Sequence, residues 1–318
     1  MAKKRAIPLV DLAQFTKGDV TSRKAFIRKL AKAFHEIGFV GVINHGIPKT
    51  LVDRFYDESK AFFALPTEKK LKYEIKGLAG QRGYTSFGKE HAKQSKVADL
   101  KEFFQIGQEV DGKDPIRREY PKNVYVREKT QFLSTGVKLY KAFEKSGAQL
   151  LKAISIHLGL GDRYFETKIK NGNSILRSIY YPPITAEPKS AIRAEQHEDI
   201  NLITLLVGAS AGGLQVLNLK QEWLEVVPEQ NEIVINVGDM LQRLTNNYLK
   251  STTHRVVNPP KADWHKPRLS IPFFLHPRSE MDLACLPSTV TRSNPLQYPP
   301  ITAGNYLAER LREIGLKK

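Results

Sequence analysis

The chain has 318 residues, 41% of them hydrophobic and 26% charged, with 50 Lys and Arg against 33 Asp and Glu for a formal charge of +17. That is too apolar for a disordered chain, and the length allows one large domain or two small ones. A single cysteine, Cys285, excludes an intrachain disulfide framework or a Cys-based zinc cluster, and no segment approaches the ~18 apolar residues of a membrane span, so the expectation is a cytoplasmic protein without a membrane partner.

In chain order, Ile7–Val10 reads as a short strand. A helix follows over about Ser22–His35, where Phe26, Leu30, Ala33 and Phe34 recur at helical spacing. Phe39–Asn44 is an apolar strand, His45-Gly46 a turn and Leu51–Phe63 a second helix. A long helical pattern runs from Tyr125 to Leu158, with Gly159 as its C-terminal cap. Beyond Asn171-Gly-Asn173 the texture becomes β-rich: Ser174–Tyr181, Leu202–Val207, Leu214–Leu217, Trp223–Val226, Ile233–Val237, His254–Val257 and Arg268–Leu275. Many short strands at this spacing point to a sandwich or barrel rather than a parallel sheet. A last amphipathic helix spans Ala303–Ile314, and the change near residue 171 is expected to lie within one cooperative unit.

The basic residues do not gather into a nucleic-acid footprint. Lys69, Lys70 and Lys72 lie on one stretch, Arg117 and Arg118 on another and Lys317 and Lys318 at the tail, with no run of five like charges. A solvated basic surface is expected, and a nucleic-acid partner is not.

Three residues of the β half carry chemistry. In an extended strand, residues two apart share a face, so His197 and Asp199 can both point inward, and His254 on a distant strand can complete a face of two imidazoles and one carboxylate. Such a face leaves about three octahedral positions of Fe(II) open, although zinc also accepts this donor set and an H-x-D pair alone is common among ordinary hydrogen-bonded groups. Beyond His254 comes Arg268-Leu-Ser270, another pair two apart, within the apolar run Leu269-Ser-Ile-Pro-Phe-Phe-Leu275. An arginine buried there needs an anion, and its planar fork with a serine hydroxyl suits a carboxylate.

H-x-D, then H, then R-x-S, in this order, resembles the isopenicillin N synthase-like family of Fe(II)/2-oxoglutarate-dependent oxygenases. The resemblance extends over most of the chain: Ile7-Pro-Leu-Val-Asp-Leu12, Gly38-Phe-Val-Gly-Val-Ile-Asn-His-Gly-Ile47, Phe62-Phe-Ala-Leu-Pro66, Gly83-Tyr84, Asp99-Leu-Lys-Glu-Phe-Phe104, Tyr180-Tyr-Pro-Pro183, Gly212-Gly-Leu-Gln-Val216, Asn236-Val-Gly-Asp-Met240 and Ser251-Thr-Thr-His-Arg-Val256. The wording His197-Glu-Asp-Ile-Asn-Leu-Ile-Thr204 is closer to bacterial members than to plant ones.

The resemblance implies an α+β fold, a double-stranded β-helix (jelly-roll) core flanked by helices with an N-terminal helix/strand module. The ranges that go with it are 1–120 for that module, 121–170 for connecting helices, 171–280 for the Fe(II)/2-oxoglutarate core and 281–318 for a C-terminal extension with a helix. It further implies that His197, Asp199 and His254 hold Fe(II), and that Arg268, Ser270 and Tyr181 bind the cosubstrate 2-oxoglutarate. The implied reaction uses O2 and couples decarboxylation of 2-oxoglutarate to hydroxylation, desaturation or cyclisation at a small-molecule C–H bond. Ile179 stands where the family motif has Asn, and the loop from His254 to Arg268, through Pro259, Pro260 and Trp264, is longer than in plant members. Strand parity adds Arg177, Ile179, Phe274 and His276 as substrate-pocket candidates, with Tyr84 and Phe103 or Phe104 closing the pocket from the N-terminal module. Arg177 either meets an anionic amino acid, organic acid or natural product, or pairs with a nearby carboxylate. The alternatives are a 2-oxoglutarate-independent Fe(II) oxidase of the same branch, a nucleic-acid demethylase, and a non-enzymatic zinc-binding jelly roll.

Overall fold

Two aspartates explain how the chain enters its first helices. β1 (Leu9–Asp11) ends in Asp11, whose carboxylate accepts from the Ala13 N–H and caps α1 (Leu12–Thr16). Asp19 accepts from the Ser22 N–H at 2.8 Å and caps α2 (Val20–Glu36), which buries Phe26, Leu30, Ala33 and Phe34. β2 (Phe39–Ile43), α3 (Lys49–Phe63), α4 (Thr67–Leu71), β3 (Gly83–Thr85) and β4 (Glu102–Gly107) follow. The long helix, α5, covers Phe132–His157 and so starts later than its apolar pattern suggests. Val126 is buried in the main core from a segment of turns ahead of the helix, so its hydrophobicity carries no helical periodicity. Gly159 ends α5 at φ +70°, a conformation that favours glycine.

α6 (Glu166–Ile169) leads into the β-rich half: β5 (Ile175–Tyr181), β6 (Ala194–His197), β7 (Ile203–Val207), β8 (Leu214–Leu217), β9 (Trp223–Glu225) and β10 (Ile233–Val237). Then come α7 (Asp239–Leu244), β11 (His254–Val256), β12 (Arg268–Leu275) and α8 (Ala303–Glu313). The computed structural model describes residues 5–78, 80–91, 97–110, 112–229 and 231–313. The expected helix end at Ile314 and the basic pair Lys317 and Lys318 lie outside the described residues.

The strands form an eight-stranded sheet, ordered β1-β2-β10-β7-β12-β5-β4-β3, and a four-stranded sheet, ordered β6-β11-β8-β9. From β5 onward the chain alternates between them: β5, β7, β10 and β12 join the large sheet, and β6, β8, β9 and β11 the small one. This alternation is the winding of the double-stranded β-helix. The β1–β2 pair is parallel and the other strand pairs are antiparallel.

Helix α5 packs against the large sheet. Phe143 stacks on Phe273 of β12 at 5.4 Å between ring centroids, and Phe104 of β4 lies edge-on to Phe132 at 4.9 Å. The approach is close enough that a Cβ on Gly147 would sit 2.3 Å from Leu275 Cδ1, and one on Gly136 2.2 Å from Ile106 Cδ1. Glycine at both positions lets the helix lie down on the sheet. Five elements were not anticipated from the sequence: α1, α4, β3, β4 and α7. Each is short, and β4 carries the polar Glu102 and Gln105 inside a buried strand, so the apolar alternation that marks a strand is broken there.

Candidate active site

Between the two sheets lies a cavity of about 710 Å³. The small sheet supplies two imidazoles. β6 and β11 pair with His197 directly opposite His254, which sets the rings 4.4 Å apart at 52°. Each ring turns its Nδ1 to a backbone carbonyl two residues back in the chain: His197 to Glu195 at 2.6 Å and His254 to Thr252 at 3.0 Å. In the neutral ring these nitrogens donate, so both Nε2 atoms keep a free lone pair for a metal.

Asp199 enters differently from the expectation. β6 stops at His197, so Asp199 lies beyond the strand and strand parity does not place it. A turn does: the Asp239 N–H donates to the Asp199 backbone oxygen at 2.7 Å, while Oδ2 accepts from Thr204 Oγ1 at 2.6 Å and Asn236 Nδ2 at 2.8 Å. His254 Nε2 stands 3.9 Å from Asp199 Oδ2, and one ligand atom from each of His197, Asp199 and His254 lies within 4.8 Å of the others. Burial alone would raise the Asp199 pKa; the neighbouring His254 and His197, with the Asn236 and Thr204 hydrogen bonds, hold it below its ordinary value. His197 is held below its ordinary value by burial and then by His254. Two imidazoles with inward-facing Nε2 atoms and one carboxylate fit a divalent transition metal.

The large sheet faces this triad with Arg268, Ser270 and Tyr181. β12 and β5 pair with Arg268 opposite Tyr181 and Ser270 opposite Ile179. The Arg268 guanidinium is 5.1 Å from the Tyr181 ring, and its Nε donates to the Ala211 and Gly212 carbonyls at 3.1 and 3.2 Å. Arg268 is only 2% exposed, and its Nη1 has no partner among the described residues. An orphaned, buried guanidinium N–H lining the cavity of the triad is what a carboxylate ligand would satisfy. The long loop before Arg268 is folded. It makes a turn at Lys261–Asp263, and Trp264 donates to the Pro259 carbonyl at 3.2 Å and accepts from the Ile184 N–H.

The pocket candidates separate into two groups. Arg177, Ile179, Phe274 and His276 line the cavity, whereas Tyr84 and Phe104 do not. Tyr84 pairs with Phe104 across β3 and β4, and both pack on Phe62, on the helical side of the sheet; the Tyr84 hydroxyl donates to Glu102. Parity decides this, because Phe103 and Gln105, one position either side, pair with Ile179 and Arg177 on the cavity side. Phe103 is buried with Ile179 and Tyr181.

Arg177 meets a carboxylate of the chain itself. Its Nη1 donates to both Glu90 oxygens at 3.2 Å, its Nε donates to Gln105 Oε1 at 3.1 Å, and its guanidinium lies 4.2 Å from the Phe103 ring and 5.2 Å from that of Phe274. Lys101 extends the network, 2.7 Å from both Glu90 and Asp99, and Asp99 accepts from the Glu195 N–H at 2.9 Å. Burial opposes the Glu90 charge, but Arg177 and Lys101 pull its pKa down to about 2. Lys101 is raised in return by Glu90 and Asp99 against the cost of burial. His276 is pushed down to about 4 by burial, so its ring is neutral, and its Nδ1 has no partner among the described residues. Glu90, Asp99, Lys101 and Gln105 were not singled out individually from the sequence; Asp99–Phe104 had stood only as a stretch of family wording. His45 lies in a different cavity of about 680 Å³, where its Nδ1 accepts from the Ile47 N–H at 3.2 Å in a turn.

Comparison with known proteins places this geometry. Residues 7–128 match the model of the N-terminal part of the non-haem dioxygenases in morphine synthesis, and residues 172–277 match that of the 2OG-Fe(II) oxygenase superfamily. A solved structure from Caulobacter crescentus, assigned to the 2OG-Fe(II) oxygenase family, is 41% identical over 98% of this chain and 99% of its own, with a TM-score of 0.87. A full-length Neurospora crassa protein, solved in complex with alpha-KG and thymine, is 31% identical over 98% of each chain, with a TM-score of 0.85. The 2-oxoglutarate-dependent dioxygenase htyE of Aspergillus rugulosus is 30% identical over 92% of this chain and 94% of its own. No helix among the described residues is long and apolar enough to cross a membrane. This chain belongs to the 2OG-Fe(II) oxygenase superfamily, in its isopenicillin N synthase-like branch, and is an oxidoreductase that takes Fe(II) as cofactor and 2-oxoglutarate as cosubstrate.

Proposed function

We propose that this dioxygenase oxidises a C–H bond of a small, neutral, planar molecule carrying hydrogen-bond donors and acceptors, with Fe(II) held by His197, Asp199 and His254. The observation that carries the cosubstrate assignment is the unpartnered Nη1 of buried Arg268 in the cavity of the triad. Fe(II), 2-oxoglutarate and O2 together supply the oxidising power. The residues of the chain bind and orient. Arg268 receives the far carboxylate of 2-oxoglutarate, Ser270 and Tyr181 donate to the same group, and the hydrogen bonds at the two Nδ1 atoms and at Asp199 Oδ2 hold the ligand set in place.

At the substrate end, Phe274 offers a ring face, His276 a neutral imidazole with a free Nδ1, and Arg177 a guanidinium fixed by Glu90 and Gln105. Because Glu90 balances the Arg177 charge, a neutral polar ligand suits this end better than the anion expected from Arg177 alone. Thymine, held by the Neurospora crassa protein, has this chemistry, and it is the first compound to try. Anaerobic Fe(II) addition should give a visible absorption band only when 2-oxoglutarate is present. Under air, succinate release with thymine or another cyclic amide should exceed the substrate-free rate, while amino acids and organic acids should leave it unchanged. Stimulation by carboxylates alone would refute the substrate class, and absence of both the band and succinate would refute the whole assignment.

A further inference from the structure

The C-terminal helix α8 supplies part of the wall of the catalytic cavity. Leu307, Arg310 and Leu311 line it together with the triad, at a spacing that puts all three on one side of a helix. The helix is anchored elsewhere. The Tyr306 hydroxyl donates to Asp239 Oδ2 at 3.3 Å, and Arg243 lies 5.5 Å from the Tyr306 ring and 4.9 Å from that of Tyr298. At its start, the Ala303 N–H donates to the Met281 carbonyl at 2.8 Å and the Gly304 N–H to Ser279 at 2.9 Å. Arg310 is paired with Glu309 at 2.9 Å and with Glu313 at 2.5 Å along its own helix, while its Nε has no partner among the described residues.

The two leucines are the apolar members of that face. Leu311 is 8% exposed, yet it belongs to none of the apolar clusters formed by the described residues; Leu307 only borders the main one. Leu311 is therefore buried against the wall of the cavity and outside the clustered core, where an apolar group on a ligand would meet it. We infer that Leu307 and Leu311 contact the bound substrate and fix the size of the group it can carry away from the reacting carbon. This rests on the cavity being the substrate site, and it adds that a helix remote in sequence from the triad and from the carboxylate receptor selects among substrates.

The test uses full-length enzyme with Fe(II) and 2-oxoglutarate, and two series of probes: thymine bearing hydrogen, methyl, propyl or pentyl on one or the other of its two ring nitrogens. The quantity read is the ratio of kcat/KM for the propyl compound to that for thymine, within one protein. Leu311→Ala should raise this ratio about tenfold in at least one series, and Leu311→Trp should lower it about tenfold in the same series, with Leu307→Ala shifting it in the direction of Leu311→Ala. A damaged fold lowers both rates and cannot move one ratio in opposite directions. Equal ratios in wild type and all three variants, in both series, would overturn the role of α8. If wild type turns over no member of either series, the inference falls with the proposed substrate class; continued substrate-free succinate formation would then leave the oxygenase assignment standing.

Discussion

The two sheets face one cavity and equip it in opposite ways. The small sheet presents His197 and His254, whose outer nitrogens are tied to the backbone and whose inner ones are open. Arg268 of the large sheet is likewise left with an open N–H. At the proposed substrate end of the same large sheet, Arg177, Glu90, Lys101, Asp99 and Gln105 satisfy one another, and the His276 Nδ1 is left open. The open nitrogens of the triad and of Arg268 suit partners that arrive at every turnover, and the ion-paired network suits a wall that stays ordered while substrates come and go. A polar group left unmet in a protein interior is costly, and at Arg268 a carboxylate ligand would remove that cost.

This contrast can be broken from either side. The largest effect is expected at the triad: Asp199→Ala or His254→Ala should reduce succinate formation to that of metal-free protein and abolish the anaerobic absorption band. Next comes Arg268→Ala, which removes a charge-assisted pair of ~1.5–3 kcal/mol and should raise the KM for 2-oxoglutarate roughly 10–100-fold, with Arg268→Lys recovering part of it. Asn236→Ala frees one hydrogen bond to Asp199 and should weaken Fe(II) binding by about tenfold, read by metal titration of the anaerobic protein. The smallest effect on turnover belongs to Glu90→Gln, because Gln105 still holds Arg177 and Asp99 still holds Lys101.

Glu90→Gln should show itself in stability against pH instead. The Glu90 pKa falls from 4.5 to about 2 on folding, so its charge stabilises the native state above about 4.5 and that contribution disappears as pH falls to about 2. Denaturant unfolding should find wild type more stable than Glu90→Gln at neutral pH, with the two converging across that acid range. A constant difference down to about pH 2 would mean that the substrate-side network does not depend on the Glu90 charge.

The chemistry of the site was legible in the sequence because it rests on local rules. Arg268 with Ser270 on one strand follows from strand geometry and from the cost of burying an arginine alone, whereas the joining of His254 to His197 and Asp199 was implied by the family resemblance. The family wording added Tyr181 and the jelly-roll winding. Where longer-range placement decides, the sequence was mute. Tyr84 and Phe104 are aromatic and near the right strand, but a shift of one residue in β4 sends Phe104 to the helices and Phe103 to the opposite face, beside Ile179 and Tyr181. Glu90 reaches Arg177 across 87 positions of chain, and no spacing rule connects them. The onset of α5 at Phe132 was hidden for a related reason, since a buried turn at Val126 looks apolar in the same way as a helix.

The order of the large sheet has a consequence for how this protein can be cut. The strands β10 and β5 of the 172–277 match are flanked on the outside by β2 and β4, both from the 7–128 match. Expressed without the first segment, the barrel would present two raw lines of unpaired amides and carbonyls, the template on which sheets stick to one another. The first segment is a pair of selvedges woven onto the fabric of the second, so the two stretches are separable in homology but inseparable as a material.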